Sequence, residues 1–220
     1  QASASVWPSE LFFARAEGAQ GALIAYDMAD GSERFRLPAG LLSADGKRYF
    51  ALGADGTQTA LKIFDPHTGN EQNSWVTGGA WALSGLSPNG RWAALTRLVG
   101  EDQKQKWTAA KEWETEVQIV DAQSRRSAHR ISFEGNFEVE TVSNAGDSLF
   151  LIQYLPAVNP DHYQIRLYDL AAETLQPNPL VDKREADEVM AGQAWDAVAT
   201  PDGRWLLTLY LRPQHGTAFI

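Results

Sequence analysis

The sequence predicts an all-β protein made of four-stranded antiparallel blades of a β-propeller, because two phrases recur and interleave along the chain. One phrase joins a turn to an apolar run and occurs four times. The other is an alternating apolar stretch that ends in aspartate. Of the 220 residues, 44 % are hydrophobic and 21 % are charged, which is the composition of a folded globular core.

The first phrase predicts a hairpin turn that enters a buried strand. It reads SADGKRYFAL from Ser43, SPNGRWAALT from Ser87, SNAGDSLFLI from Ser143 and TPDGRWLLTL from Thr200. Each copy has a hydroxyl residue, then a turn centred on a glycine that tolerates positive φ, then aromatic and aliphatic residues. We call this element the Gly turn.

The second phrase predicts a strand followed by a tight turn. It reads LIAYDMADG at Asp27, LKIFDPHTG at Asp65, VQIVDAQSR at Asp121 and IRLYDLAAE at Asp169. The aspartate side chain can cap the turn before a more polar strand, and we call this element the Asp turn. In the last two copies, Arg125 and Glu173 replace the glycine, so we expect those two turns to differ in detail.

In order, the phrases describe a unit of strand, Gly turn, strand, loop, strand, Asp turn and strand. A unit of about 45 to 55 residues built this way matches one propeller blade. After a tail at 1–10, we expect a single propeller domain over 11–220, with blade phases near 11–37, 38–77, 80–133, 137–180 and 194–220. Three blades are complete and two are partial. The domain is expected to be incomplete at its C-terminus and to belong to a propeller of about seven blades.

One stretch carries a resemblance to a known family. AYDMADGSERF, from Ala25 to Phe35, is similar to the alanine, aspartate, glycine and docking-aromatic pattern of quinoprotein-like (YVTN-type) repeats, and the chain as a whole resembles WD40-like propeller repeats. The resemblance covers nearly the whole chain. It implies a propeller whose neighbouring blades are stitched together, and it implies no quinone. Such propellers host hydrolases, oxidoreductases and binding modules, so it leaves the function open.

Charge and composition exclude several classes of partner. The chain has 19 basic and 28 acidic residues and a net charge of −9, and it has no basic run, so nucleic acid is not expected as a partner. No apolar stretch is long enough to cross a membrane.

The absence of cysteine excludes thiol catalysis and disulfides. The small polar residues of QASASVWPSE are typical of a chain just after signal-peptide cleavage, which favours an exported or cell-envelope setting.

No motif predicts catalysis, a cofactor or a metal site. Of the four histidines, His67 lies in an Asp turn and His129 in an expected outer strand. The chain contains no Gly-x-Ser-x-Gly elbow, no His-Glu-x-x-His and no EF-hand spacing. Its glycines are dispersed one per turn, which is unlike a phosphate-binding loop. We therefore name no catalytic, cofactor-binding or metal-ligating residue.

The antiparallel order places the two classes of connection on opposite faces. Gly turns and Asp turns share one face, and the remaining loops form the other, which we call the long-loop face. Its long members are Val99–Trp113, Pro156–Tyr163 and Val181–Trp195, and the stretch Glu101–Glu116 is compatible with a helical turn. Aromatic anchors there are candidates for partner contact. The candidates are Trp107, Trp113, His162, Tyr163 and Trp195. The alternative is that these rings pack their own loops onto the blades.

These observations lead to one functional hypothesis and two alternatives. The hypothesis is a non-enzymatic interaction or assembly module that binds a protein partner or larger complex through the long-loop face. The first alternative is the propeller of a lactonase-like or serine-hydrolase-associated enzyme whose catalytic residues lie outside this segment. The second is capture of a carbohydrate or small ligand by exposed aromatic side chains.

Overall fold

The computed structural model describes residues 10–16, 21–54, 57–110, 112–180, 190–191, 193–212 and 217–219. In these ranges the chain forms one helix and a succession of short strands. The elements are β1 (Leu11–Arg15), β2 (Leu23–Asp27), β3 (Glu33–Leu37), β4 (Gly40–Leu42), β5 (Tyr49–Ala54), β6 (Gln58–Phe64), β7 (Glu71–Gly78), β8 (Trp81–Leu86), β9 (Trp92–Arg97), α1 (Glu101–Ala110), β10 (Glu114–Asp121), β11 (Arg126–Glu134), β12 (Phe137–Val142), β13 (Ser148–Tyr154), β14 (His162–Asp169), β15 (Thr174–Leu175), β16 (Met190–Ala191), β17 (Gln193–Ala199), β18 (Leu206–Arg212) and β19 (Thr217–Phe219).

The strands form five antiparallel sheets, and this confirms the predicted propeller architecture. The first sheet is β1 to β3, the second β4 to β7, the third β8 to β11, the fourth β12 to β15 and the fifth β17 to β19. Within each sheet the spatial order follows the chain order, which is the meander of a propeller blade. Among the described residues, the second to fourth sheets have the full four strands, and the first and fifth have three.

The outer edge of the fourth sheet is formed by two short strands, β15 and β16, and the sequence predicted only one strand there. β15 pairs with one end of β14 at Tyr168 and Asp169, whereas β16 pairs with its other end at His162 and Tyr163. Part of the stretch Val181–Trp195, which the sequence placed in a long connection between blades, is therefore strand. Residues 181–189 lie outside the described ranges.

The first four sheets stack face to face, and each of the three interfaces between them has its own apolar cluster. We call the face that packs on the next sheet along the chain the forward face. Between the second and third sheets, Phe50 and Leu61 meet Ala93 and Leu95. Trp92, Ala94 and other forward-face residues of the third sheet meet the fourth sheet in a larger cluster. Side-chain alternation along each central strand supplies both interfaces.

The four Gly turns have the predicted geometry. In the first, the Gly46 N–H donates to the Ser43 carbonyl at 2.8 Å, and the Ser43 hydroxyl accepts from the Arg48 N–H at 3.0 Å. The same bonds recur from Ser87, Ser143 and Thr200. The glycines have φ of 70°, 61°, 76° and 70°, so each turn uses the left-handed backbone that glycine adopts freely.

The four Asp turns share their aspartate cap and a left-handed fourth residue after the aspartate, and the last two differ in having an L-residue there instead of glycine. In each turn the aspartate carboxylate accepts from the N–H two residues later. Gly31 and Gly69 have φ of 72° and 73°, and Arg125 and Glu173 have φ of 58° and 55°. Two L-residues therefore occupy the left-handed position, which costs about 1 to 2 kcal/mol each.

The packing of neighbouring sheets explains where glycine is required. A Cβ on Gly69 would lie 2.6 Å from the Phe35 ring, which docks on this turn from the preceding sheet. At the next interface the position of Phe35 is taken by Asn73, whose amide donates to the Ala122 carbonyl at 3.5 Å. This shorter side chain leaves room for Arg125.

Arg125→Gly should raise the free energy of unfolding by about 0.5 to 1 kcal/mol. Glycine removes the cost of positive φ, and its larger unfolded-state entropy offsets part of that gain. Urea titration measures the change. Arg126→Gly is the control: Arg126 begins the extended strand β11, so there glycine should lower stability. Equal losses in both variants would contradict the assignment of strain to Arg125.

The helix α1 lies in the connection between β9 and β10 and contains charged and amide side chains along its ten residues. Within the described ranges, no helix has the length and apolar character needed to cross a membrane.

Candidate functional site

The long-loop face contains the two longest described connections. One holds α1, and the other is the segment from Leu155 to Asp161 between β13 and β14, which includes a cis peptide bond before Pro156. By contrast, β7 is joined to β8 through only Gly79 and Ala80. The irregular surface of the described chain is therefore concentrated over the third and fourth sheets. The sequence predicted a third long connection at Val181–Trp195, most of which lies outside the described ranges.

Trp107 and Trp113 lie against one another and fix the helix to its sheet. Their ring centroids are 5.9 Å apart with an interplanar angle of 47°, and both residues are half-buried. The Trp113 carbonyl accepts from the Gly135 N–H at 2.6 Å. The buried Trp113 indole N–H has no acceptor among the described residues. The rings thus pack their own loop and still contribute part of their area to the surface.

Hydrogen bonds connect the helix side of this face to the β13–β14 loop. Next to Gly135, the Asn136 side-chain amide donates to the Ala157 carbonyl at 2.7 Å, and the Asn136 carbonyl accepts from the Tyr154 N–H at 3.0 Å. The two connections consequently form one continuous surface. It carries three exposed aliphatic side chains, which are Leu98, Leu155 and Val158.

His162 lies at the end of the same loop and is exposed. Its Nδ1 accepts from the Asn159 amide at 2.9 Å, and the Asn159 carbonyl oxygen in turn accepts from the Asp161 N–H at 3.0 Å. These bonds order the loop and leave the imidazole at the surface. Its position agrees with a contact role, which stays a prediction.

Tyr163 is fully buried, so it is not an exposed anchor. Its ring packs edge-on to Tyr154 at a centroid distance of 6.2 Å on the forward face of the fourth sheet. The physical reason is its register: Tyr163 precedes Asp169 as Thr59 precedes Asp65 and Thr115 precedes Asp121. A side chain at this strand position points into the sheet stack.

Trp195 lies in β17 at a break in its pairing register, and its side chain is outside the described part of the chain.

The repeated threonines fix the links between sheets, and sequence reasoning missed them. Thr59 Oγ1 donates to the Gly79 carbonyl at 2.9 Å and accepts from the Trp81 N–H at 3.1 Å. Thr115 makes the same two bonds, to Gly135 at 2.9 Å and from Phe137 at 3.0 Å. The signal was the same residue type at the same distance before two Asp turns. These clamps hold the base of the long-loop face.

A cavity of about 300 Å³ lies between the inner strands β4, β8, β12 and β17. Glu138 and Glu140 of β12 line it, and the Thr208 hydroxyl donates to Glu140 at 3.0 Å. The Tyr154 hydroxyl donates to Glu138 at 2.5 Å. Burial, reinforced by this hydrogen bond, raises the pKa of Tyr154, so its hydroxyl stays protonated as a donor. Both described carboxylates of the cavity are thus tied to neighbouring side chains.

Known structures with a similar fold are propellers or contain comparable sheet stacks. TolB from Acinetobacter baumannii matches with a TM-score of 0.54 and 16 % identity, over 94 % of this chain and 48 % of TolB. Acylaminoacyl peptidase from Pyrococcus horikoshii matches with a TM-score of 0.56 and 10 % identity, over 91 % of this chain and 33 % of the peptidase. Hydrazine synthase from Kuenenia stuttgartiensis matches with a TM-score of 0.51 and 15 % identity, over 86 % of this chain and 49 % of that one.

The chain therefore spans half or less of the length of these proteins. A scan against protein-family models gave no match, and no curated protein matched the sequence. At these identities the likeness establishes the β-propeller fold and assigns no activity.

Proposed function

We propose that this chain is a non-enzymatic segment of a WD40-like or quinoprotein-like propeller that binds a protein partner through the long-loop face. The observation that carries the proposal is the continuous surface formed by α1 and the β13–β14 loop. It combines a rigid base with exposed aliphatic side chains.

Rigidity comes from three sets of contacts. The Trp107 and Trp113 rings hold α1, the Asn136 side chain holds the second loop, and the threonine clamps hold the links beneath both. A preformed surface loses less conformational entropy on binding than a mobile one.

Leu98, Leu155 and Val158 provide the apolar surface that a protein partner would contact. These aliphatic side chains are exposed on loops that also carry polar backbone and amide groups. An apolar centre with a polar rim is the anatomy of a protein–protein interface. The opposite face, by contrast, consists of short turns whose polar groups bond within and between neighbouring turns.

Val158→Glu should lower retention of the partner by roughly tenfold or more, because it places a charge on the exposed apolar part of the proposed interface. The immobilised 220-residue protein is incubated with extract of its native source, and retained proteins are quantified by mass spectrometry. Val76→Glu is the matched control. Val76 is 53 % exposed on the outer strand β7, and Val158 is 55 % exposed on the long-loop face.

Selective loss of one partner at Val158→Glu, with retention at Val76→Glu, supports the proposal. A partner that both variants retain equally, or that both lose equally, would show that the long-loop face does not bind it. Circular dichroism of both variants checks that the fold is intact.

A further inference from the structure

The forward face of the fifth sheet exposes apolar side chains at positions that the third sheet packs against its neighbour. Trp205 is 67 % exposed, Val198 is 62 % exposed, and Leu207, which lies opposite Val198 in the β17–β18 pair, is 45 % exposed. A patch containing a tryptophan and two aliphatic residues is unusual on a surface that faces only water.

Register identifies this patch with an interface already present in the chain. Trp205 takes the place, directly after its Gly turn, that Arg48, Trp92 and Ser148 take in the other sheets. The Trp205 N–H donates to the Thr200 hydroxyl, just as the Trp92 N–H donates to the Ser87 hydroxyl. Two residues further on, Leu207 takes the position of Phe50, Ala94 and Phe150. Phe50 and Ala94 are fully buried against the following sheet.

The equivalent residues also show what the patch receives. Trp92 lies against the Gly turn of the fourth sheet so closely that any side chain on Gly146 would overlap its ring. Arg48 reaches the Gly turn of the third sheet and donates to the carbonyls of Asn89 and Gly90 at 3.1 and 3.3 Å. At both interfaces, the residue after one Gly turn covers the next Gly turn.

We propose that Trp205, Leu207 and Val198 dock a further propeller blade of the same polypeptide, whose first hairpin presents a Gly turn to the Trp205 ring. The partner must offer a glycine at left-handed φ and branched aliphatic side chains, as Gly146, Val139 and Leu149 do for the third sheet.

A second copy of the described chain does not fit this position. The second sheet already packs on the first through Tyr49, Ala51 and Phe64, so its hairpin cannot also dock elsewhere. The Gly turns of the third, fourth and fifth sheets already lie against Ser43, Trp92 and Asn144 of the preceding sheet. Within the described residues, the first sheet consists of β1 to β3 and offers only an Asp turn. The docking element is therefore an additional blade.

The cysteine-free sequence allows a direct test by thiol labelling. Trp205→Cys and, separately, Leu207→Cys are introduced into the 220-residue protein and into the polypeptide expressed from the complete native gene. Val76→Cys serves as an exposed control and Ala94→Cys as a buried one. Labelling rates with a maleimide are compared, and light scattering gives the oligomeric state.

In the 220-residue protein, we expect the thiols of Trp205→Cys and Leu207→Cys to react about as fast as the thiol of Val76→Cys. In the native polypeptide they should react roughly 100-fold more slowly, close to the rate of the Ala94→Cys control. Equal rates in both proteins, a native polypeptide mass of only 24.2 kDa, or protection that appears with dimerisation of the 220-residue protein would each overturn the proposal.

Discussion

Gly146→Ala should lower the free energy of unfolding by about 2 to 4 kcal/mol. Two costs add at this position. Gly146 has a φ of 76°, where an L-residue costs about 1 to 2 kcal/mol. Its Cβ would also overlap the ring of Trp92, a core residue of the preceding sheet, and overpacking of this kind costs about 1 to 3 kcal/mol. The lower unfolded-state entropy of alanine offsets part of the sum.

Gly46→Ala separates the two costs. Gly46 occupies the same place in another Gly turn with a φ of 70°, and a Cβ added there would have no atom within 4 Å. It should lose only about 1 kcal/mol. Urea titrations of both variants give the difference. Similar losses in the two variants would mean that the contact between Trp92 and the next turn contributes nothing to stability.

The Gly turns and Asp turns could be predicted from sequence because their chemistry is local. A hydroxyl, an aspartate and a glycine within a few residues supply their own hydrogen bonds and backbone conformation. The apolar runs that follow them supply two-sided burial, which indicates sheets stacked on both faces. Repetition of these local elements is enough to define the order of strands in each sheet.

Features that depend on the neighbouring sheet could not be predicted in the same way. Arg125 is left-handed in a turn that is contacted by the short side chain of Asn73, which lies far away in the sequence. The burial of Tyr163 depends on strand register, and the aromatic residue beside a loop was interpreted as a surface anchor. The pairing of Met190 with Tyr163 across an insertion is likewise non-local. For Trp107 and Trp113 the sequence indicated a long connection but gave no signal that the two rings pack against each other.

Coupling between Phe35 and Gly69 should appear as strong non-additivity. Gly69→Ala alone is expected to cost about 2 to 4 kcal/mol, because the residue has a φ of 73° and its Cβ would lie 2.6 Å from the Phe35 ring. Phe35→Ala alone should cost about 1 to 3 kcal/mol, since its half-buried ring packs against the cluster between the first two sheets.

The double variant should lose at least about 1 kcal/mol less than the sum of the single losses, because removal of the ring relieves the overlap and leaves only the cost of positive φ. Urea titrations of the four proteins complete the cycle. Gly31→Ala is the control, since Gly31 has a φ of 72° with no atom within 4 Å of a Cβ there, and its loss should add to that of Phe35→Ala. Additivity at Gly69 as well would mean that the docking aromatic does not impose glycine on the next turn. Non-additivity at Gly69 alone would explain why Arg125 is tolerated at the next interface, where Asn73 takes the place of Phe35.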